Sequence, residues 1–218
     1  MRLLIVRPEP GASATAARVR ALGHAAVVAP LLATEALDWT PPEAMPDAVL
    51  LTSAAAVRQA GDRADRLKAL PALCVGAATA AAARAAGWQH VTTGPGTLQA
   101  LLDRLADGPL RNLLHLAGAD RTSVVVPTGL SITLAIVYRA VLQPLPALPG
   151  VDAVLLHSPR TAGHFAAEWD RLGGQRADVA LFAISAPALA AAGPGWRDGH
   201  VAPEPTDAAL LAMLPEAL

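Results

Sequence analysis

The segment DAVLLTS at residues 47–53 returns as DAVLLHS at residues 152–158, an offset of 105. Each copy is an apolar run closed by a hydroxyl residue. That is the pattern of a strand buried on both faces, followed by the cap of a helix. In open α/β sheets, ligands bind beyond strand ends of this kind. The echo extends along the chain: Gly87-Trp88 returns as Gly195-Trp196 at an offset of 108, Leu101-Leu102 as Leu210-Leu211 at 109, and residues 3–6 are echoed by 113–116 at 110. The 218 residues therefore read as a tandem duplication of a unit about half that length.

Apolar runs place strands at 3–6, 25–32, 48–51, 72–75, 90–92, 113–116, 131–141, 153–156, 179–184 and 200–202. Helices alternate with them, at about 14–22, 53–60, 77–86, 97–105, 162–172, 187–192 and 206–214. Gly23 and Gly87 stand where left-handed C-terminal caps are expected. Such alternation is the signature of parallel βα units. Alternation also asks for a helix in 119–129, yet Val124, Val125, Val126 and Pro127 are poor helix formers.

Two polar or Pro-rich stretches, 34–46 and 142–150, look like crossings between domains. On that reading residues 34–142 form a continuous α/β domain, and 1–33 pack with 143–218 to form a discontinuous one. Two hinge strands and a cleft between the domains follow, and such a cleft is a usual place for a ligand.

Composition excludes several partners. Net charge is −1 with 16% charged residues, and the one basic grouping, 58–68, is interrupted by Asp62 and Asp65. Neither nucleic acid nor an anionic membrane surface fits that balance. Cys74 is the only cysteine and reads as a buried strand residue, so neither a disulfide nor a cysteine metal cluster is expected. The six histidines lack metal-ligand spacing, and Gly94-Pro95-Gly96 lacks the third glycine of a dinucleotide fingerprint. The apolar run at the N-terminus is too short for a signal peptide, and the longest uncharged run, 122–138, contains Pro127 and Gly129. A cytoplasmic protein is expected.

Eight short motifs then occur in order: Arg7-Pro8; LGH with APLL (22–32); LLTSAAAV (50–57); VGAATA (75–80); Gly87-Trp88; LAG (116–118); VYRA (137–140); and LLHSP (155–159). In this order the chain resembles the uroporphyrinogen-III synthase family over nearly its full length. The resemblance implies an α/β fold of two flavodoxin-like parallel-sheet domains, duplicated and segment-swapped, joined by a two-stranded hinge. It implies a linear tetrapyrrole substrate, hydroxymethylbilane, cyclised with inversion of the last ring and loss of water. It also implies no cofactor and no metal. A monomer acting on a small molecule is expected.

A substrate with eight carboxylates asks for many hydrogen-bond donors. Helix N-termini supply unpaired N–H groups, and the candidates are Thr52 and Ser53, Gly76 and Thr79, Ser158, and Ser185 with Ala186. Arg7 either adds a fixed charge at the end of the first strand or is an exposed turn residue. The resemblance implies a role for the tyrosine of its YR motif, here Tyr138, as proton donor to the departing hydroxyl; phenols stay protonated at neutral pH and can donate. The alternative is a hinge-strand tyrosine that packs. Of the strand-end residues in the echoed segment, Thr52 and Ser53 are better candidates than His157. Departures from the family pattern are Ala55, Ala117 and the stretch ISAPAL at 184–189. They leave open a catalytically weak paralogue, or a two-domain module that binds an anionic small molecule.

Overall fold

A computed structural model describes residues 1–216. The chain runs through β1 (Arg2–Ile5), α1 (Gly11–Ala21), β2 (Ala25–Val28), β3 (Leu32–Ala36), β4 (Ala48–Leu51), α2 (Ala54–Gln59), β5 (Pro71–Cys74), α3 (Ala77–Ala85) and β6 (His90–Thr93). It continues through α4 (Leu98–Leu105), β7 (Asn112–Gly118), β8 (Ser131–Leu142), β9 (Ala153–Leu156), α5 (Pro159–Arg171), β10 (Ala180–Ala183), α6 (Ala186–Ala191), β11 (Asp198–Val201) and α7 (Asp207–Leu211). Two compact units result: Met1–Ala33 with the chain from Val141 onward, and Thr34–Ala140.

The first unit holds a five-stranded sheet in the order β11-β10-β9-β1-β2, and the second a six-stranded sheet in the order β3-β8-β7-β4-β5-β6. If β7 and β8 are matched to β1 and β2, and β4, β5 and β6 to β9, β10 and β11, the second sheet repeats the first and adds β3 at its edge. Both then have the flavodoxin-like order 2-1-3-4-5, with the chain entering each at a different strand. The expected α/β class with parallel-sheet domains is what the structure shows.

The two copies of DAVLL occupy corresponding places. β4 lies between β7 and β5, and β9 between β1 and β10, all parallel. Every residue of both strands is fully buried. Helices cover each face, so a continuous apolar run is required in place of an alternating one. The leading aspartate has its own task in both copies. Asp47 Oδ2 accepts from the backbone N–H groups of Arg111 and Asn112, at 2.8 and 2.9 Å, and Asp152 Oδ2 accepts from that of Arg2 at 2.6 Å. Each aspartate thus ties the central strand to the start of the strand beside it.

Ser53, Thr97, Ser158, Ser185 and Thr206 each accept a backbone N–H three residues on, capping the five helices that follow them. Gly23 and Gly87 take positive φ, 82° and 86°, where α1 and α3 end.

Two expectations are corrected. The strand expected at 25–32 breaks after Val28 and a new strand begins at Leu32. Pro30 has no N–H to give a ladder, and the Leu31 N–H turns to the carbonyl of Val6. The helix asked for by alternation in 119–129 is absent; the segment is coil. It occupies the connection between β7 and β8, the counterpart of α1 between β1 and β2, and its three consecutive valines and Pro127 disfavour a helix.

The Asp47 tie yields a prediction. The N–H groups of Asn112 and then Arg111 hold the Asp47 carboxyl below its ordinary value of 3.8. A lowered folded-state value contributes stability that is complete above pH 3.8 and lost as pH falls through the folded value. In urea melts at pH 7, Asp47→Ala should lower the midpoint and Asp47→Asn, which keeps one acceptor oxygen, should lower it less. The wild-type advantage over Asp47→Ala should shrink below pH 3.8. An unchanged midpoint for Asp47→Ala at pH 7 would contradict the tie.

Candidate active site

Parallel strands all release their chains at one end, and there the connections on either side of a switch in strand order diverge. In the second unit the switch falls between β7 and β4. At their C-terminal ends lies a cavity of about 460 Å³, within the roughly 300–1,000 Å³ typical of small-molecule sites. Its floor comes from Thr52, Ser53, His115, Gly118 and Tyr138, and one rim from residues 120–124.

Two hydroxyl pairs organise the floor. Ser53 Oγ lies 3.1 Å from the Tyr138 hydroxyl and accepts the Ala56 N–H at 3.0 Å, so the cap of α2 also fixes the tyrosine. Thr52 Oγ1 lies 3.1 Å from His115 Nε2. A register shift then aims Tyr138. β8 pairs in step with β7 as far as Ala117 opposite Ile136, after which Gly118 stands opposite Tyr138, skipping Val137. Bulges of this kind re-aim side chains. The phenol lies directly over Gly118: a Cβ there would come within 2.6 Å of Tyr138 Cζ and 2.8 Å of its oxygen. Only glycine leaves room for the ring.

His115 is 6% exposed. Burial, reinforced by the charge of Arg121, pushes its imidazole down to about 4, so it is neutral at pH 7.

A sequence profile described as Uroporphyrinogen-III synthase HemD matches residues 13–212. The chain belongs to the uroporphyrinogen-III synthase family. Its function is accordingly that of a uroporphyrinogen-III synthase in tetrapyrrole biosynthesis. Two solved structures share the fold. Uroporphyrinogen-III synthetase from Helicobacter pylori superposes with a TM-score of 0.61 at 15% identity, covering 98% of each chain. A mutant uroporphyrinogen III synthase from the extremely thermophilic bacterium Thermus thermophilus gives 0.52 at 19% identity, covering 97% of this chain and 96% of that one. No curated protein sequence matches the chain significantly.

At the corresponding switch in the first unit, between β1 and β9, side chains of the protein bind one another. Asp207 Oδ1 accepts from His157 Nε2 at 2.8 Å, Thr15 Oγ1 at 2.9 Å and Arg7 Nη1 at 3.3 Å, while Oδ2 takes Arg18 Nη1 at 2.6 Å. Burial pushes the Asp207 carboxyl up, but these hydrogen bonds outweigh it and hold the group below its ordinary value. Burial also holds His157 below its usual range despite the pull of Asp207, so a neutral imidazole donates to an ionised carboxylate. Arg7 is therefore engaged inside its own unit. Its guanidinium covers Gly11, where a Cβ would meet Arg7 Nε at 2.6 Å.

The sequence candidates thus divide. Thr52, Ser53 and Tyr138 meet at one cavity. Gly76 caps α3 outside its lining, and Thr79 is buried within that helix at 6% exposure. Ser158 caps α5 and pairs with Thr161 Oγ1 at 2.8 Å, Ser185 caps α6, and Ala186 is exposed in its first turn. These last three stand at strand ends of the first unit. Sequence reasoning passed over His115, whose signal was a lone polar residue inside the apolar strand LLHLAG. It also passed over Asp207, which follows the capping Thr206 without any mark of its partners.

A histidine held neutral by burial can be titrated directly. Carbon-13 or nitrogen-15 shifts of the His115 ring should give a midpoint near 4. A midpoint at the ordinary 6.5 would mean that the ring is solvated rather than seated beneath the cavity.

Proposed function

We infer that the cavity at the β7–β4 switch is where this chain closes hydroxymethylbilane into uroporphyrinogen III, as a dehydrating, cyclising lyase. The observation that carries this reading is the convergence of Tyr138, Ser53 and Gly118, which come from three different strands or their ends, on one cavity.

The reaction needs a proton as the hydroxyl of the first ring leaves as water. That departure generates an azafulvene cation, which the last ring attacks at its substituted carbon. The spiro intermediate then breaks and rejoins, and loss of a proton restores the pyrrole. Ser53 has one hydrogen, and one of its lone pairs is taken by the Ala56 N–H. With that hydrogen donated to the Tyr138 oxygen, the phenol O–H is free to point at the substrate and protonate the departing oxygen. Thr52 and the neutral His115 add a second polar pair that carries no net charge. A cation forming beside them meets the oriented dipoles of uncharged side chains. Shape and orientation supply the rest, since ring closure competes with uncatalysed closure to the uninverted isomer.

The family assignment brings a tetrapyrrole substrate to this chain. No helix among the described residues is long and apolar enough to cross a membrane. The reading is completed by action in the cytoplasm as a monomer.

Purified protein given hydroxymethylbilane should yield the type III isomer in place of the type I isomer that forms spontaneously; type I alone would refute the reading. Tyr138→Phe should lower kcat by ~10²-fold, the lower end of what a positioned proton donor contributes. Gly118→Ala, which leaves the phenol in place chemically but displaces it, should match that loss. An unchanged rate in both variants would remove Tyr138 from the mechanism.

A further inference from the structure

The rim of the cavity is built differently from its floor. Residues 119–129 form neither helix nor strand, and the side chains of Val125 and Val126 face solvent at 76% and 43% exposure. Those two side chains do not anchor the segment. Val124 packs on the cluster around Leu101, Leu102 and Leu113, and the Ala119 N–H is held by the Tyr138 carbonyl at 2.9 Å. Just beyond Val124 a side chain of α4 takes over. Gln99 Nε2 donates to the Val125 carbonyl at 3.0 Å, and Gln99 Oε1 accepts the Val125 N–H at 2.9 Å. A primary amide used this way reads one residue's N–H and C=O together, as a neighbouring strand does. Its second hydrogen goes to Asp103 Oδ1 at 2.9 Å, which fixes the amide's orientation.

The clamped segment carries Asp120, Arg121, Thr122 and Ser123 along the cavity edge. Arg121 is the cation among the lining residues. Its charge reaches the floor, where it helps keep His115 neutral, and Asp120 beside it limits the net charge of the rim. An octacarboxylate substrate presents acids to any donor at this edge, and an arginine fork matches a carboxylate in geometry and charge.

We propose that Gln99 is a positioning residue: its two-point clamp on Val125 holds the rim so that Arg121 takes a substrate carboxylate at the edge of the cavity. The proposal rests on the functional reading above and deepens it. Arg121 acts on binding, and Gln99 acts through Arg121.

Three variants of the full chain test it: Gln99→Met, which keeps volume and loses both bonds, Arg121→Gln, and the two combined. In the unliganded protein, exchange of the Val125 amide should be about tenfold faster in Gln99→Met and unchanged in Arg121→Gln. With hydroxymethylbilane, each single variant should raise KM roughly threefold to tenfold and leave kcat within about twofold, the signature of lost uniform binding. The double variant should be no worse than Arg121→Gln alone, because both changes remove one contact. Equal Val125 protection in Gln99→Met, an unchanged KM in either single variant, or losses that multiply in the double variant would overturn the proposal. Failure of the functional reading looks different: wild type yields no type III isomer. The rim is then tested by fluorescence titration with uroporphyrin, an octacarboxylate, which should bind the wild type more tightly than either single variant; equal affinities would overturn it.

Discussion

Burial of one strand on both faces governs this architecture. β4 and β9 are each enclosed by two parallel neighbours and by helices above and below, and no residue in either is accessible. Such a strand has nowhere to place a polar side chain until it leaves the sheet. Polar chemistry therefore concentrates at its C-terminal end, where Thr52 and Ser53 follow one copy and His157 and Ser158 the other. The same ends cap helices, so hydroxyls that satisfy backbone N–H groups also stand at the mouth of each switch in strand order.

Two scaffolds of the same strand order have been put to different uses. In the first unit, Asp207 enters the switch and gathers His157, Thr15, Arg7 and Arg18 around one carboxylate, a network that fastens α7 to α1. In the second, the residue corresponding to Asp207 is Leu98, which follows the capping Thr97 as Asp207 follows Thr206 and brings no carboxylate. The helix between the first two strands of the order is also missing there, replaced by the coil at 119–129. The result is an open cavity floored by hydroxyls and a neutral imidazole. A duplicated fold thus carries one switch crossed by an internal ion-pair network and one that borders a cavity.

Elements and their order were legible because they follow from local rules: apolar runs, hydroxyl caps and glycines at left-handed positions. The fold class followed from alternation and from the repeated segment. What stayed hidden depends on residues brought together from a distance. The seat of Tyr138 on Gly118 depends on a one-residue shift between β7 and β8 that no periodicity announces. Arg7 read as either a fixed charge for the ligand or an exposed turn residue because Asp207, its partner, lies 200 residues away. His115 stood in plain view in an apolar strand, but only the fold shows that its ring meets Thr52. The break at Pro30 and the coil at 119–129 were each signalled by a proline; the expectation that failed came from an apolar run in the first place and from alternation in the second.

If the switch of the second unit receives the tetrapyrrole, binding there is directly observable. Uroporphyrin III, the oxidised form of the family's product, can be titrated into nitrogen-15-labelled protein while backbone amide shifts are followed. The largest saturable shifts should fall at Thr52, Ser53, Gly118 and Tyr138. Shifts that leave these four amides unmoved and gather elsewhere in the same unit, such as the surface hollow beside Trp39 and Arg63, would contradict binding at the switch.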